Sequence, residues 1–157
     1  MAEMNESKGN NHEPDGQPSG HFPGGVSGCV ILVTGAASGL GFADSKMLVE
    51  QGARVVMTDV DEERGRSLAE GLDAVFLHQD VADEGRWADI MAAVETRFGR
   101  LDGLVNNAGI APIADIETTT TAIWRSTLAI HLDATFFGCQ AGIKLMKENG
   151  GGAIVNT

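Results

Sequence analysis

The chain is 157 residues long, with 22 acidic against 11 basic residues and a formal net charge of −11. That length suits one domain with a sizeable core; the acidic balance excludes a phosphate-neutralising, nucleic-acid-binding surface, and no apolar run is long enough to span a membrane. Two cysteines, Cys29 and Cys139, are too few for a disulfide framework and read as buried thiols, and the complete lack of tyrosine removes one class of general acid.

Residues 1–27 carry Pro14, Pro18 and Pro23 among glycines and polar residues, with almost nothing apolar. Such a segment buries too little to offset its ordering entropy, so it reads as a disordered tail ahead of one domain over 28–157. It has neither the apolar run of a secretory signal nor the Arg-rich, acid-poor character of a mitochondrial presequence, so a cytoplasmic protein is expected.

From Cys29 onward, short apolar runs alternate with amphipathic segments. The run 29–33 predicts a strand buried on both faces, ending at Thr34-Gly35. Leu40, Ala43, Met47 and Leu48 recur at helical spacing before a stop at Gly52. A second strand is expected over 54–58, ending at Asp59, and Asp61 opens a weaker helix that closes near Gly71. A third strand over 74–77 runs into His78-Gln79-Asp80. Asp83 then caps the best-patterned helix, with Trp87, Ile90, Met91, Val94 and Phe98 on one face and Gly99 at its end. A fourth strand over 101–105 leads into Asn106-Asn107-Ala108-Gly109. A long helix over about 122–147 follows, in which Leu132, Phe136, Phe137, Ile143 and Met146 read as a core face. Trp87 and Trp124 are expected to pack against the sheet or shield a cleft. After three glycines, a fifth strand starts at Ala153.

This alternation is the pattern of an α/β fold, a parallel sheet with helices on both faces and right-handed crossovers. Ligands of such folds bind beyond the carboxyl ends of the strands, and here every unusual glycine or polar cluster falls at such an end.

Thr34-Gly35-Ala36-Ala37-Ser38-Gly39-Leu40-Gly41 joins the first strand to the first helix. Alone, the glycines also fit a plain tight turn. In this context they would let backbone approach a pyrophosphate at a helix N-terminus. The spacing differs from Gly-x-Gly-x-x-Gly, and no Lys-Ser or Lys-Thr follows as in a P-loop. Asp59, ending the second strand, is placed to accept hydrogen bonds from adenosine ribose hydroxyls and to repel a 2′-phosphate. Neither Ser38 nor Val60 supplies a compensating positive charge, so NAD is favoured over NADP.

These residues resemble the short-chain dehydrogenases/reductases. Thr34 to Gly41 matches the family's Thr-Gly-x-x-x-Gly-x-Gly turn, and Asn106 to Gly109 its strand-four Asn-Asn-Ala-Gly. Asp80-Val81 resembles the pair that contacts adenine. Gly152-Ala153-Ile154-Val155-Asn156 is similar to the strand leading into the catalytic serine. The resemblance implies a Rossmann-like doubly wound parallel sheet of order 3-2-1-4-5, here truncated at about the fifth strand. It implies an NAD site formed by Gly35, Ser38, Gly39, Leu40, Gly41, Asp59, Asp80, Val81, Asn107, Ala108 and Gly109. Hydride transfer would connect NAD with a small-molecule secondary alcohol or ketone, and the long helix would pack across a homo-oligomer interface.

The family's catalytic Ser and Tyr-x-x-x-Lys have no counterpart in these residues. Its relay asparagine aligns with His131 in His131-Leu132-Asp133-Ala134. That histidine either transfers protons near neutral pH or is bonded to backbone. His12 and His21 fall in the tail, and nothing suggests a metal site. The expectation is therefore the NAD-binding part of a dehydrogenase, inactive alone. A catalytically silent dinucleotide- or partner-binding module is the alternative.

Overall fold

The computed structural model describes residues 25–157, so residues 1–24 of the tail expected over 1–27 lie outside the described residues. Within the last three residues of that stretch, Val26 packs on the core, and just after it Gly28 N–H donates to Gly52 O at 2.8 Å. Five strands, β1 (Val30–Thr34), β2 (Arg54–Asp59), β3 (Val75–His78), β4 (Gly103–Asn106) and β5 (Ala153–Asn156), form one sheet in the order β3-β2-β1-β4-β5. Every pairing is parallel. This is the α/β Rossmann-like arrangement the sequence implied.

Side-chain alternation along the strands divides the core in two. Val30, Leu32, Val56 and Leu104 face α3 (Glu84–Phe98) and α5 (Ala134–Glu148). Ile31, Val33, Val55, Met57 and Phe76 face α1 (Gly39–Glu50) and α2 (Glu62–Leu72). Strands enclosed on both sides need no polar alternation, which is why β1 is apolar from Val30 to Val33.

The helix starts expected at Asp61 and Asp83 are capped as read, and Thr120, which the sequence reading did not single out, caps a third. Asp61 accepts from Arg64 N–H, Asp83 from Gly85 and Arg86 N–H, and Thr120 opens α4 (Thr121–Leu128) by accepting from Ile123 N–H. Gly99 ends α3 in the left-handed conformation. Helix α2 runs one residue past Gly71 and is closed instead by Asp73 at φ +56°, whose short polar side chain tolerates that region.

Three expectations about faces need correction. In α1 the buried residues are Gly41 and Ser45, while Leu40 and Met47 are exposed. Small Gly41 and Ser45 let this helix approach the β1 turn closely, while Phe42, Leu48 and Val49 pack half-buried on the core beside them. In α5, Met146 is buried and Phe137 half-buried, but Phe136 and Ile143 are exposed, as is Leu132 just ahead of the helix. Trp87 is buried as expected, whereas Trp124 is 57% exposed. The single long helix is also interrupted: a π-helical turn over Ala129–Asp133 joins α4 to α5. Cys29 is buried and Cys139 half-buried; both are free thiols.

Candidate functional site

Two chain turns meet at the carboxyl ends of β1 and β4. Gly35 has φ +65°, and a Cβ there would lie 2.8 Å from Ala108 Cα. A Cβ on Gly41 would lie 2.3 Å from Gly35 O. Only glycine permits both approaches. Asn107 closes the junction by donating its side-chain amide to Thr34 O at 2.9 Å, and its backbone N–H to Thr34 Oγ1 at 3.0 Å. Ala108 N–H donates to the same hydroxyl at 3.0 Å.

Helix α1 begins differently from its neighbours. Its N-cap Ser38 makes no side-chain capping bond, and its first turn holds no acidic residue. Helices α2 and α3 have Asp caps and glutamates in their first turns. The positive end of the α1 dipole and its free N–H groups are thus left without a side-chain anion, which suits a phosphate.

Asp59 flanks this turn at the end of β2. Its Oδ2 accepts from Ala37 N–H at 2.9 Å and its Oδ1 from Asp61 N–H at 3.0 Å. These bonds aim the carboxylate from the strand end. At the end of β3, Asp80 Oδ1 accepts from Ala82 N–H at 2.9 Å, and the buried Trp87 ring donates from Nε1 to Val81 O.

All of the dinucleotide residues expected from sequence except Gly41 line one cleft of about 360 Å³; Gly41 sits behind it against Gly35. The volume lies within the ~300–1,000 Å³ usual for small-molecule sites. A larger groove of about 470 Å³ lies between α3 and α5, away from the glycine turn. The converging polar groups select the smaller cleft as the candidate site.

Sequence reading missed several contributors. Gln79 and Ile130 line the cleft. Gln79 is 1% exposed, and neither polar atom of its side chain has a protein partner among the described residues. A buried primary amide is costly unpaired, so its floor position offers hydrogen bonds to a bound molecule or water. Thr34 was visible as part of the glycine motif, but its bonds span over seventy positions and leave no local signal.

His131 lies in the π-helical turn, with Nε2 2.7 Å from Ile110 O and 3.1 Å from Ile110 N. Its ring covers Gly109, where a Cβ would lie 2.7 Å from His131 Cε1. The side chain is thus bonded to the Ile110 backbone beside Gly109. Among the described residues, no cluster of His, Cys, Asp or Glu could hold a metal ion.

Comparison with known proteins accords with this geometry. A family model described as short chain dehydrogenase matches residues 29–157. The chain belongs to the short-chain dehydrogenase family. It is 44% identical over 131 residues to a 3-beta-hydroxysteroid dehydrogenase of Comamonas testosteroni, covering 82% of this chain and 52% of that protein. It is 41% identical over 137 residues to an NADP-dependent (R)-specific alcohol dehydrogenase of Lentilactobacillus kefiri, covering 83% and 54%. It is 45% identical over 136 residues to a D-threitol dehydrogenase of Mycolicibacterium smegmatis, covering 83% and 52%. The chain spans about half the length of these curated relatives.

Proposed function

We propose that this chain is the NAD-binding part of an oxidoreductase that, in a longer protein, transfers hydride between NAD and a secondary alcohol or ketone. The observation that carries this reading is the Asp59 carboxylate, held by two backbone N–H groups beside the glycine turn. Gly35, Ser38, Gly39 and Leu40 would hold the pyrophosphate on the α1 N-terminus, with Gly41 keeping that helix close to the turn. Asp59 would take the adenosine ribose hydroxyls, and Asp80 and Val81 the adenine. Asn107, Ala108 and Gly109 would support the nicotinamide half. The cofactor supplies the hydride-accepting or hydride-donating ring; the chain's own residues bind it, orient it and exclude water around it.

Selectivity for NAD follows from charge. A 2′-phosphate beside Asp59 would bring like charges together, and such a pair at about 4 Å costs about 1–4 kcal/mol between solvent-like and protein-like screening. Titration of the chain with NADH and NADPH tests this. NADH should bind at least tenfold more tightly, and Asp59→Ser should narrow that ratio. Equal affinities would defeat the NAD assignment.

On its own the chain should bind the cofactor without turning it over, because it holds no tyrosine to act as the family's general acid/base. His131 stands at the relay position; its bonds to Ile110 support a role in holding the Asn107–Gly109 turn rather than in moving protons. The location we propose is cytoplasmic, consistent with the described residues having no helix long and apolar enough to cross a membrane.

We also propose that α4 and α5 carry a homo-oligomer contact. Trp124, Leu132, Phe136 and Ile143 are all exposed on this long helix. The π-helical turn adds one residue to its length, so Trp124 and Ile143 stand about five α-helical turns apart and share a side.

A further inference from the structure

A concavity larger than the dinucleotide cleft lies in the groove between α3 and α5, about 470 Å³ in volume. Its floor is apolar, built from the buried Trp87, Met91 and Leu145. Its walls are low, because Ala88 and Ala92 on α3 and Ala141 on α5 present only methyl groups. A floor of this kind between two packed helices accepts the apolar side of a third helix.

The rim has a definite sign. Glu84 and Glu95 on α3 and Glu148 on α5 are exposed along the groove, against the single cation Lys144. None of the three glutamates forms an ion pair among the described residues; the pairs present lie elsewhere, as in Lys46–Glu50, Arg66–Glu62 and Arg86–Asp89. Three unpaired carboxylates around an apolar floor complement a ligand that is apolar on one side and cationic at its edges. The dinucleotide turn does not use this face, and the apolar stripe from Trp124 to Ile143 does not include these groove residues.

We propose that the α3/α5 groove docks a cationic amphipathic helix of a partner protein. Leucine-like side chains at i, i+3, i+4 and i+7 would enter between Ala88, Ala92 and Ala141. Lys or Arg flanking that stripe would meet Glu84, Glu95 and Glu148 at a polar rim. Attraction of this kind speeds encounter and fixes orientation, while the apolar floor supplies most of the affinity.

The probe is a synthetic helical peptide of about five turns (~18 residues) with that leucine spacing and lysines at the flanks. Its twin carries glutamates in place of the lysines. Amide chemical shifts of the 157-residue chain report where each binds. The cationic peptide should saturate with shifts confined to α3 and α5 and weaken at least tenfold when Glu84, Glu95 and Glu148 are all changed to Gln. Ala92→Arg, at an exposed position, should weaken it similarly by adding bulk and like charge; Ala88→Arg serves if that variant loses its dispersed spectrum. Raised salt should lower the affinity as it screens the rim. The proposal is overturned if the two peptides bind equally, or if no saturable binding occurs. Shifts spread over other acidic faces, such as Glu62, Glu63 and Glu70 of α2, would mean attraction by net charge alone and would overturn it too. So would self-association of the chain through this groove that Ala92→Arg abolishes.

Discussion

Thr34 and Asn107 hold each other across the ends of β1 and β4. The Thr34 hydroxyl accepts Asn107 N–H at 3.0 Å, while the Asn107 side-chain amide donates back to Thr34 O at 2.9 Å. The same hydroxyl accepts Ala108 N–H and donates to Val105 O. One buried oxygen therefore sets the distance between the two turns that enclose the candidate cofactor cleft. Thr34→Val keeps the shape but leaves two backbone N–H groups without their acceptor, costing about 2–4 kcal/mol. The melting temperature should fall by about 5–10 °C and NADH affinity should drop with it. Thr34→Ser should retain most of both, which calorimetry and cofactor titration would show.

Gly65 sets how close α2 comes to the sheet. A Cβ there would lie 2.0 Å from Phe76 Cε2, and the Phe76 ring carries the Arg66 guanidinium 6.0 Å above its centre. Gly65→Ala gains about 1 kcal/mol in helix propensity. It loses more by forcing a packed ring aside, typically ~1–3 kcal/mol and occasionally more. A net loss of stability in denaturant unfolding is expected, with the cofactor preference unchanged. A stabilised variant would show that Phe76 is loosely held.

The two thiols should differ in reactivity. Burial, helped by the nearby Asp102 carboxylate, pushes the Cys29 thiol above its ordinary range. Cys139 is half-buried beside Asn106 and Asn156. A disulfide reagent at neutral pH should label Cys139 first and reach Cys29 only on unfolding. The raised value also fixes a sign. The folded state holds the Cys29 proton more tightly than the unfolded chain does, so its contribution is complete below about pH 8.5. It is lost as pH rises from there through the higher folded value. Melting temperature followed from neutral to alkaline pH should decline less for Cys29→Ala than for the native chain.

His131 presents one ring nitrogen to both the N–H and the C=O of Ile110. A single nitrogen can accept or donate, but not both at once. An amide carries an acceptor and a donor side by side. His131→Asn should therefore stabilise the chain by about 0.5–1.5 kcal/mol, the net worth of one hydrogen bond. Slower exchange of the Ile110 amide with solvent should accompany the gain; a destabilised variant with faster exchange would contradict the pairing.

Much of this arrangement was legible because its causes are local. Strands enclosed by helices on both sides are written as unbroken apolar runs, so β1 and β2 stand out. Asp61 and Asp83 mark helix starts through their side-chain carboxylates, and Gly99 a helix end through its left-handed backbone. The clustering of glycine and Asx residues at strand ends outlined the cleft before any contact was known. What was not legible depends on distant partners. Gly41 and Ser45 form the buried side of α1 because the β1 turn crowds it, which no hydrophobic period records. The π-helical turn carries no distinctive residue; its His131 is tied to Ile110, twenty-one positions away. Phe136 and Ile143 read as core because they are apolar, yet they face outward on α5.

The central claim is that the cleft between the glycine turn, Asp59 and the Asn107–Gly109 turn binds NADH. Amide-shift mapping during an NADH titration, with absorbance followed alongside in the presence of ketone substrates, tests it most directly. Saturable shifts at Gly35, Gly39, Asp59, Val81, Asn107 and Gly109, without oxidation of NADH by this chain, are the predicted result. Saturable shifts confined to the α3/α5 groove, or none at all in a folded chain, would contradict it.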